Sequence, residues 1–247
     1  MKADPSAQLK LLDVQELDSR ADQLRHQRAT LPEIADIDRL QRHRGELDDR
    51  MRDAQIAVDD LTAEQKKADR DVEQVKARRT RDRDRMDQGL ITNPKDLERM
   101  QHELTSLERR ITTLEDAELE VIEKLEEAQG TLQELAAQLA EVDQELATLA
   151  AARDKRLAEI DASLAGVAAE RGPATAGLPE DLVKLYERLR QQKGGVGAAA
   201  LRARRCGGCQ LTLDNAELST IRSSPAEEVI RCEECQRILV RTPESGI

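Results

Sequence analysis

Gly89-Leu90-Ile91-Thr92-Asn93-Pro94 interrupts a long run of helix-forming residues. Gly89 suits the left-handed conformation that ends a helix. Asn93 is a good N-cap, and Pro94 fits the first helical position after it. A turn this short predicts that the flanking helices lie antiparallel and side by side.

Upstream, an apolar seam repeats in steps of three and four: Ile37, Leu40, Leu47, Met51, Ala54, Val58, Leu61, Ala68, Val72, Val75 and Met86. Arg44, Gln65, Arg79 and Asp82 take the remaining slots, where polar residues cost stability but hold register. Downstream it resumes at Leu97, Met100, Leu104, Leu107, Ile111 and Leu114, and continues from Val121 to Leu149. Heptads sustained this far predict a coiled coil. Counting outward from Met86 and Leu97 sets Ile37 opposite the region of Leu146. Leu157, Ile160, Leu164 and Val167 are then left for the N-terminal helix to cover. The hairpin buries its own seam, so no homo-oligomer is required.

That N-terminal helix starts at Asp4-Pro5, as N-cap and first helical residue. Val14, Leu17, Ala21, Leu24 and Leu31 follow. Thr30-Leu31-Pro32-Glu33 has the form of a capping box. Pro32 kinks, restarts or reverses the chain; with no glycine nearby, a kink is expected.

Composition agrees with a rod. The 247 residues include no Phe, no Trp and a single Tyr, Tyr186, while 36% are charged. Such a chain builds long helices rather than a large globular core. Of the net charge of −11, residues 1–172 hold −12 and residues 173–247 hold +1. No membrane span or export leader is evident, so a cytoplasmic protein with reduced thiols is expected.

The expected fold class is mainly α: a long antiparallel coiled-coil hairpin over residues 1–172, then a small zinc-ribbon (α+β) domain over 173–247. Arg171-Gly172-Pro173 should stop the rod, and residues 172–179 read as a linker. A short helix, Glu180 to Gln192, should follow. Short strands are expected from Val196 to Arg205, over Gln210–Leu213, at Val229–Arg231 and over Arg237–Val240. Asp214 and Glu217 form a capping pair that opens a short helix through Ile221.

The chain's only cysteines are Cys206-Gly207-Gly208-Cys209 and Cys232-Glu233-Glu234-Cys235. Two turns that each aim two thiolates at one point make a closed tetrahedral shell for one structural Zn²⁺. Iron in the same sulfur shell is the alternative metal. Disulfides would need an oxidising compartment, and a thioredoxin-type pair would need a βαβ context.

Three stretches together resemble a bacterial family with an N-terminal helical hairpin and a C-terminal four-cysteine zinc ribbon. They are Thr92-Asn93-Pro94-Lys95-Asp96-Leu97-Glu98 with Glu103 and Leu104; Leu185-Tyr186-Glu187-Arg188-Leu189 with Gly194-Gly195-Val196; and the two cysteine pairs with Arg237-Ile238-Leu239. One branch of that family is associated with the sigma-54 factor, messenger RNA and flagellar gene control. The resemblance therefore implies a scaffold or adaptor with nucleic-acid contact in prospect. Gln210 and Gln236 depart from the pattern, since such knuckles usually carry glycine after the second cysteine. A side chain in a left-handed conformation costs about 1 kcal/mol.

Lys184, Arg188, Arg190, Lys193, Arg202, Arg204 and Arg205 face only Glu187 in the sequence between them. They are the candidate nucleic-acid-binding residues, with Tyr186 as a stacking ring. The plainer alternative is a solvated helix with Tyr186 packing helix to ribbon. The basic run Lys76 to Arg85 is expected to pair with the acidic helix opposite. His26, His43 and His102 are isolated surface histidines, and no phosphate loop, nucleophile elbow or kinase signature is present. The expectation is a non-enzymatic adaptor with unidentified protein partners and no small-molecule substrate. The alternative is an RNA- or DNA-binding regulator.

Overall fold

The computed structural model describes all of residues 1–247. Four helices come first: α1 (Pro5–Ala29), α2 (Pro32–Asp87), α3 (Pro94–Ala176) and α4 (Glu180–Gln192). The ribbon follows, with β1 (Ala198–Arg202), β2 (Arg205–Cys206), α5 (Asn215–Ser223), β3 (Ile230–Arg231) and β4 (Ile238–Arg241). Contacts group the chain into two units. One holds Met1–Ile34 with Ala151–Ile247, the other Ala35–Ala150. This grouping differs from a division at residue 172, because α1 packs against the ribbon.

The Ala35–Ala150 unit is the coiled coil. Arg44 pairs with Asp143 at 2.6 Å and Lys76 with Glu115 at 2.8 Å, so the helices run antiparallel. The pairing moves the partner of Ile37 from Leu146 to about Ala150, one turn further. Every seam position is buried or half-buried, the polar slots Arg44, Gln65, Arg79 and Asp82 included. Leu40, Leu47, Leu135 and Val142 form its tightest cluster. Arg78 binds Glu103, as expected of the basic run beside an acidic helix. Leu47→Ala removes a side chain only 1% exposed. We expect it to cost 2–5 kcal/mol, within the ~2–5 kcal/mol range for such truncations, read as a lower helix-melting midpoint.

The connecting turn forms as expected. Gly89 has φ +68°, and the Leu90 N–H donates to the Arg85 carbonyl while the Gly89 N–H donates to that of Met86. That is a Schellman ending. Asn93 Oδ1 accepts from the Lys95 N–H at 3.0 Å and opens α3.

In the other unit the break at Thr30-Leu31 restarts the helix without reversing it. Asp18 binds Arg171, Arg28 binds Asp161 and Glu33 binds Arg156, one unchanged antiparallel register on both sides of Pro32. Thr30 does not form the expected capping box. Its hydroxyl donates back to the His26 carbonyl and closes α1. Along α3 the seam takes two consecutive steps of four, Leu149 to Arg153 to Leu157, a stutter that locally unwinds a coiled coil.

The expected stop at Gly172-Pro173 is a correction: α3 runs on to Ala176 with Pro173 inside it. Proline removes one intrahelical donor. The Thr175 hydroxyl donates to the carbonyls of Arg171 and Gly172 and ties down the last turn. Ala174 and Leu178 pack on the core of this unit, so burial offsets what proline costs.

The ribbon sheet has the order β2-β1-β4-β3, with β1 and β4 parallel and the outer pairs antiparallel. Its two faces serve different cores. Ala198, Ile238 and Val240 meet Leu11 and Val14 of α1 and Leu182, Tyr186 and Leu189 of α4. Ala199, Leu201 and Leu239 meet α5 and the cysteines. Residues 1–3 lie along the ribbon too: Val229 N–H donates to the Met1 carbonyl, and Ala3 N–H to that of Glu227.

Candidate metal centre

The two knuckles are near-duplicates, Arg205-Cys206-Gly207-Gly208-Cys209-Gln210 and Arg231-Cys232-Glu233-Glu234-Cys235-Gln236. In each, the glutamine N–H donates to the first cysteine's carbonyl, at 2.8 Å for Gln210 and 2.9 Å for Gln236. The leading arginine binds the glutamine carbonyl, at 2.9 Å for Arg205 and 3.0 Å for Arg231. Gln210 and Gln236 do adopt the left-handed conformation, with φ +63° and +64°. Their side-chain amides donate to the Gly207 and Glu233 carbonyls at 2.8 and 2.9 Å. Glutamine thus offsets the strain with a bond that glycine lacks.

These turns bring all four Sγ atoms within 4.8 Å of one another. Cys206 and Cys235 are 3.8 Å apart, Cys209 and Cys232 3.9 Å. Disulfide sulfurs would lie at about 2.05 Å. A zinc ion with four sulfurs at about 2.3 Å spans tetrahedral edges of about 3.8 Å. The cluster therefore fits one structural zinc ion, held by Cys206, Cys209, Cys232 and Cys235. Burial raises the free Cys206 thiol and pushes that of Cys232 to about 12. Burial also opposes ionisation of Cys235, but the N–H groups of Arg237 outweigh it and bring that thiol to about 7. Four thiolates fill a tetrahedral shell and leave no position for a reacting water.

The knuckles differ where they pack. A Cβ on Gly208 would lie 2.7 Å from Arg237 Cδ and 3.2 Å from Ala199 Cβ. Arg237 cannot easily yield, because its guanidinium binds the carbonyls of Val196 and Lys193. Glu233 and Glu234 of the other knuckle are exposed. Gly208→Ala should destabilise the ribbon by roughly 1–3 kcal/mol, the usual cost of overpacking, whereas Glu234→Ala should be near neutral. Thermal melts of the two zinc-loaded variants compare them directly.

Asp214 caps α5, accepting from the Glu217 N–H at 2.8 Å. Glu217 does not complete the reciprocal box; its carboxylate accepts instead from the Glu233 N–H and ties α5 to the second knuckle.

The candidate nucleic-acid residues differ in exposure and in pairing. Lys184 and Arg188 are exposed on α4, with Lys184 paired to Glu180. Lys193 is half-buried at the end of that helix. Arg202, Arg204 and Arg205 are exposed around the β1–β2 turn. Arg202 pairs with Glu244 at 3.2 Å, and Arg204 donates to Asn215. Arg190 is committed elsewhere, bound to Asp22 at 2.8 Å with Asp18 beside it. Tyr186 is fully buried, so it is a packing residue and not a stacking ring.

Sequence reasoning missed the polar face of α1. Asp18, 3% exposed, accepts from Arg171 Nε at 2.7 Å and from the Tyr186 hydroxyl at 2.7 Å. Arg171 also binds Glu187. Gln15 accepts from the N–H groups of Gly197 and Ala198 and donates to the Gly195 carbonyl. Gln8 donates to the carbonyls of Ala3 and Ala226. The available signal was spacing: Ala7, Leu11, Val14, Asp18 and Ala21 fall on one helical stripe.

Comparison with known proteins matches both parts. Residues 14–194 match the model of a CT398-like coiled coil hairpin domain, and residues 205–239 that of a C4-type zinc ribbon domain. An uncharacterized protein of Mycobacterium tuberculosis is 38% identical over 98% of this chain and 98% of its own. A solved structure from Mycobacterium smegmatis superimposes with a TM-score of 0.84 at 35% identity, covering 98% of this chain and all of that one. CT398 from Chlamydia trachomatis shares the fold, with a TM-score of 0.68 at 17% identity over 96% of this chain and 98% of its own. The chain belongs to the CT398-like coiled-coil hairpin family, with a C4-type zinc ribbon at its C-terminal end.

Proposed function

We propose that this protein is a non-enzymatic, zinc-dependent adaptor whose helical hairpin and ribbon dock other macromolecules, in gene regulation and in the cytoplasm. One observation carries the reading. The metal-ligating cluster is a closed set of four thiolates. The charges on the other side of the sheet, Asp18 and Arg190, are bound in packing α1, α3 and α4 together. Chemistry would need an open coordination position or a poised acid–base pair, and these groups supply neither. No helix is long and apolar enough to cross a membrane. Crosslinking in the source cell, followed by capture of the full chain, tests the proposal. A reproducible protein partner whose capture depends on zinc supports it; capture of none overturns it.

A second reading, RNA or DNA binding, is favoured by the exposed Arg202, Arg204 and Arg205. Under it, replacing the three by Ala should lower the slope of log affinity against log salt by up to about three. The same triple change at Arg78, Arg79 and Arg81 should alter it much less. Equal losses would assign the binding to general charge. No binding by the unaltered chain at about 50 mM salt would leave the protein-adaptor reading alone.

A further inference from the structure

The sheet face towards α1 is covered unevenly. Along β1, Ala198, Ala200 and Arg202 alternate onto that face. Ala198 lies beneath α1, Ala200 is half-buried and Arg202 is exposed. A groove of about 650 Å³ opens where the cover ends. Glu16 and Ser19 of α1 line one side, and Arg205 and Gln210 of the first knuckle the other. Ala198, Ala199 and Ala200 form its floor beside Leu12, and its charged lining is Arg202 and Arg205 against Glu16.

We propose that this groove docks a short, extended, acidic peptide segment of a partner protein. Small side chains of the segment seat on the alanine floor, and its carboxylates meet Arg202 and Arg205. The inference rests on the adaptor reading and names the partner's chemistry. Charge complementarity selects the occupant. Arg202 is held only by Glu244, and their side chains are 69% and 71% exposed. A pair so exposed contributes little, so an incoming carboxylate displaces it at small cost. Arg205 has one nitrogen on the Gln210 carbonyl, leaving the rest of its fork for a carboxylate.

A nucleic acid fits this groove less well. No aromatic side chain lines the groove, and the chain's one tyrosine is fully buried, so no ring is offered there for base stacking. Residues 206–247 carry seven acidic and four basic side chains. A phosphate backbone running past the arginines meets that excess, whereas a peptide with two or three carboxylates ends before it.

The test uses the full zinc-loaded chain and fluorescence anisotropy. The probes are a labelled hexapeptide of alternating Glu and Ala, its Lys–Ala counterpart, and a labelled six-nucleotide oligouridylate. The Glu–Ala peptide should bind, and binding should weaken with salt. Ala200→Leu, which fills the floor without changing charge, and Arg202→Glu should each weaken it at least about tenfold. Zinc content and Tyr186 fluorescence check that each variant is folded; should Ala200→Leu fail that check, Arg202→Glu decides. Arg42→Glu on the coiled coil should change nothing. No Glu–Ala binding at about 50 mM salt overturns the proposal, as does undiminished binding by a folded groove variant. Equal binding of the Lys–Ala peptide, or tighter binding of the oligouridylate lost in the same variants, also overturns it. Partners captured equally by these variants and by the unaltered chain would leave the adaptor reading intact and remove only the groove.

Discussion

Stripping the metal from Cys206, Cys209, Cys232 and Cys235 is expected to unfold the ribbon while leaving the coiled coil helical. The core on the metal side of the sheet is small: Ala199, Leu201, Leu213, Leu218, Ile221 and Leu239, closed by Cys206 and Cys232. The cysteines are part of that core, so losing the ion also disorders the side chains packed on it. A module this small does not bury enough apolar surface to fold without a staple. Zinc supplies on the order of 10 kcal/mol or more to such modules at neutral pH. Far-UV dichroism reads mainly α2 and α3 and should fall little. The chain carries its own reporter of the ribbon, because Tyr186 is its only aromatic residue and lies in the core shared by α1, α4 and the sheet. Chelation, or Cys232→Ser, should shift Tyr186 fluorescence to that of an exposed tyrosine and expose the remaining thiols to reagent. Metal analysis of protein purified without added metal should give one zinc per chain. An unchanged Tyr186 signal and melting transition in metal-free protein would refute the dependence.

The features legible in the sequence are those whose cause lies within a few residues. Gly89, Asn93 and Pro94 act on their own backbone, and each does in the structure what its chemistry dictates. The seam is local periodicity repeated, so even its polar slots at Gln65 and Arg79 appear half-buried on schedule. The cysteine pairs are legible because four-thiolate chemistry has few alternatives. Features set by distant partners were not legible. Pro173 looks like a helix stop until Thr175 ties the last turn and Ala174 packs on the core. Arg190 and Lys184 look alike in a basic stretch. Asp22, 168 residues upstream, separates them by binding Arg190. Tyr186 looks equally suited to stacking or packing until Asp18 accepts its hydroxyl.

Asp18→Ala is expected to be among the most damaging single changes outside the metal site. Its carboxylate is buried and joins three partners from two other helices: Arg171 of α3, with Tyr186 and Arg190 of α4. Removing one side of a buried ion pair leaves the other charge uncompensated, typically at a cost of about 3–5 kcal/mol. Arg171 is 32% exposed along its side chain and regains some water, which favours the lower end of that range. Asp18→Asn should cost less, since an amide still accepts hydrogen bonds but without the charge that strengthens them. The pH dependence follows from two opposite shifts. Burial works against the charge on Asp18, yet the hydrogen bonds of Arg171 and Tyr186 hold its pKa below the ordinary carboxylate value. Its contribution is therefore complete above about pH 4 and is lost as pH falls through the lowered value. Burial first, and then the bond to Asp18, raise the Tyr186 phenol above its ordinary value. The folded chain keeps that proton where an unfolded tyrosine releases it, so stability falls as pH rises past about 10. Tyrosinate absorbance during an alkaline titration reads this directly. The unaltered chain should ionise Tyr186 only as it unfolds, and Asp18→Asn should ionise it at lower pH. Equal melting midpoints for Asp18→Ala and the unaltered chain at pH 7, or identical alkaline titrations for Asp18→Asn, would show that the Asp18 carboxylate contributes nothing to holding α1 on α3 and α4.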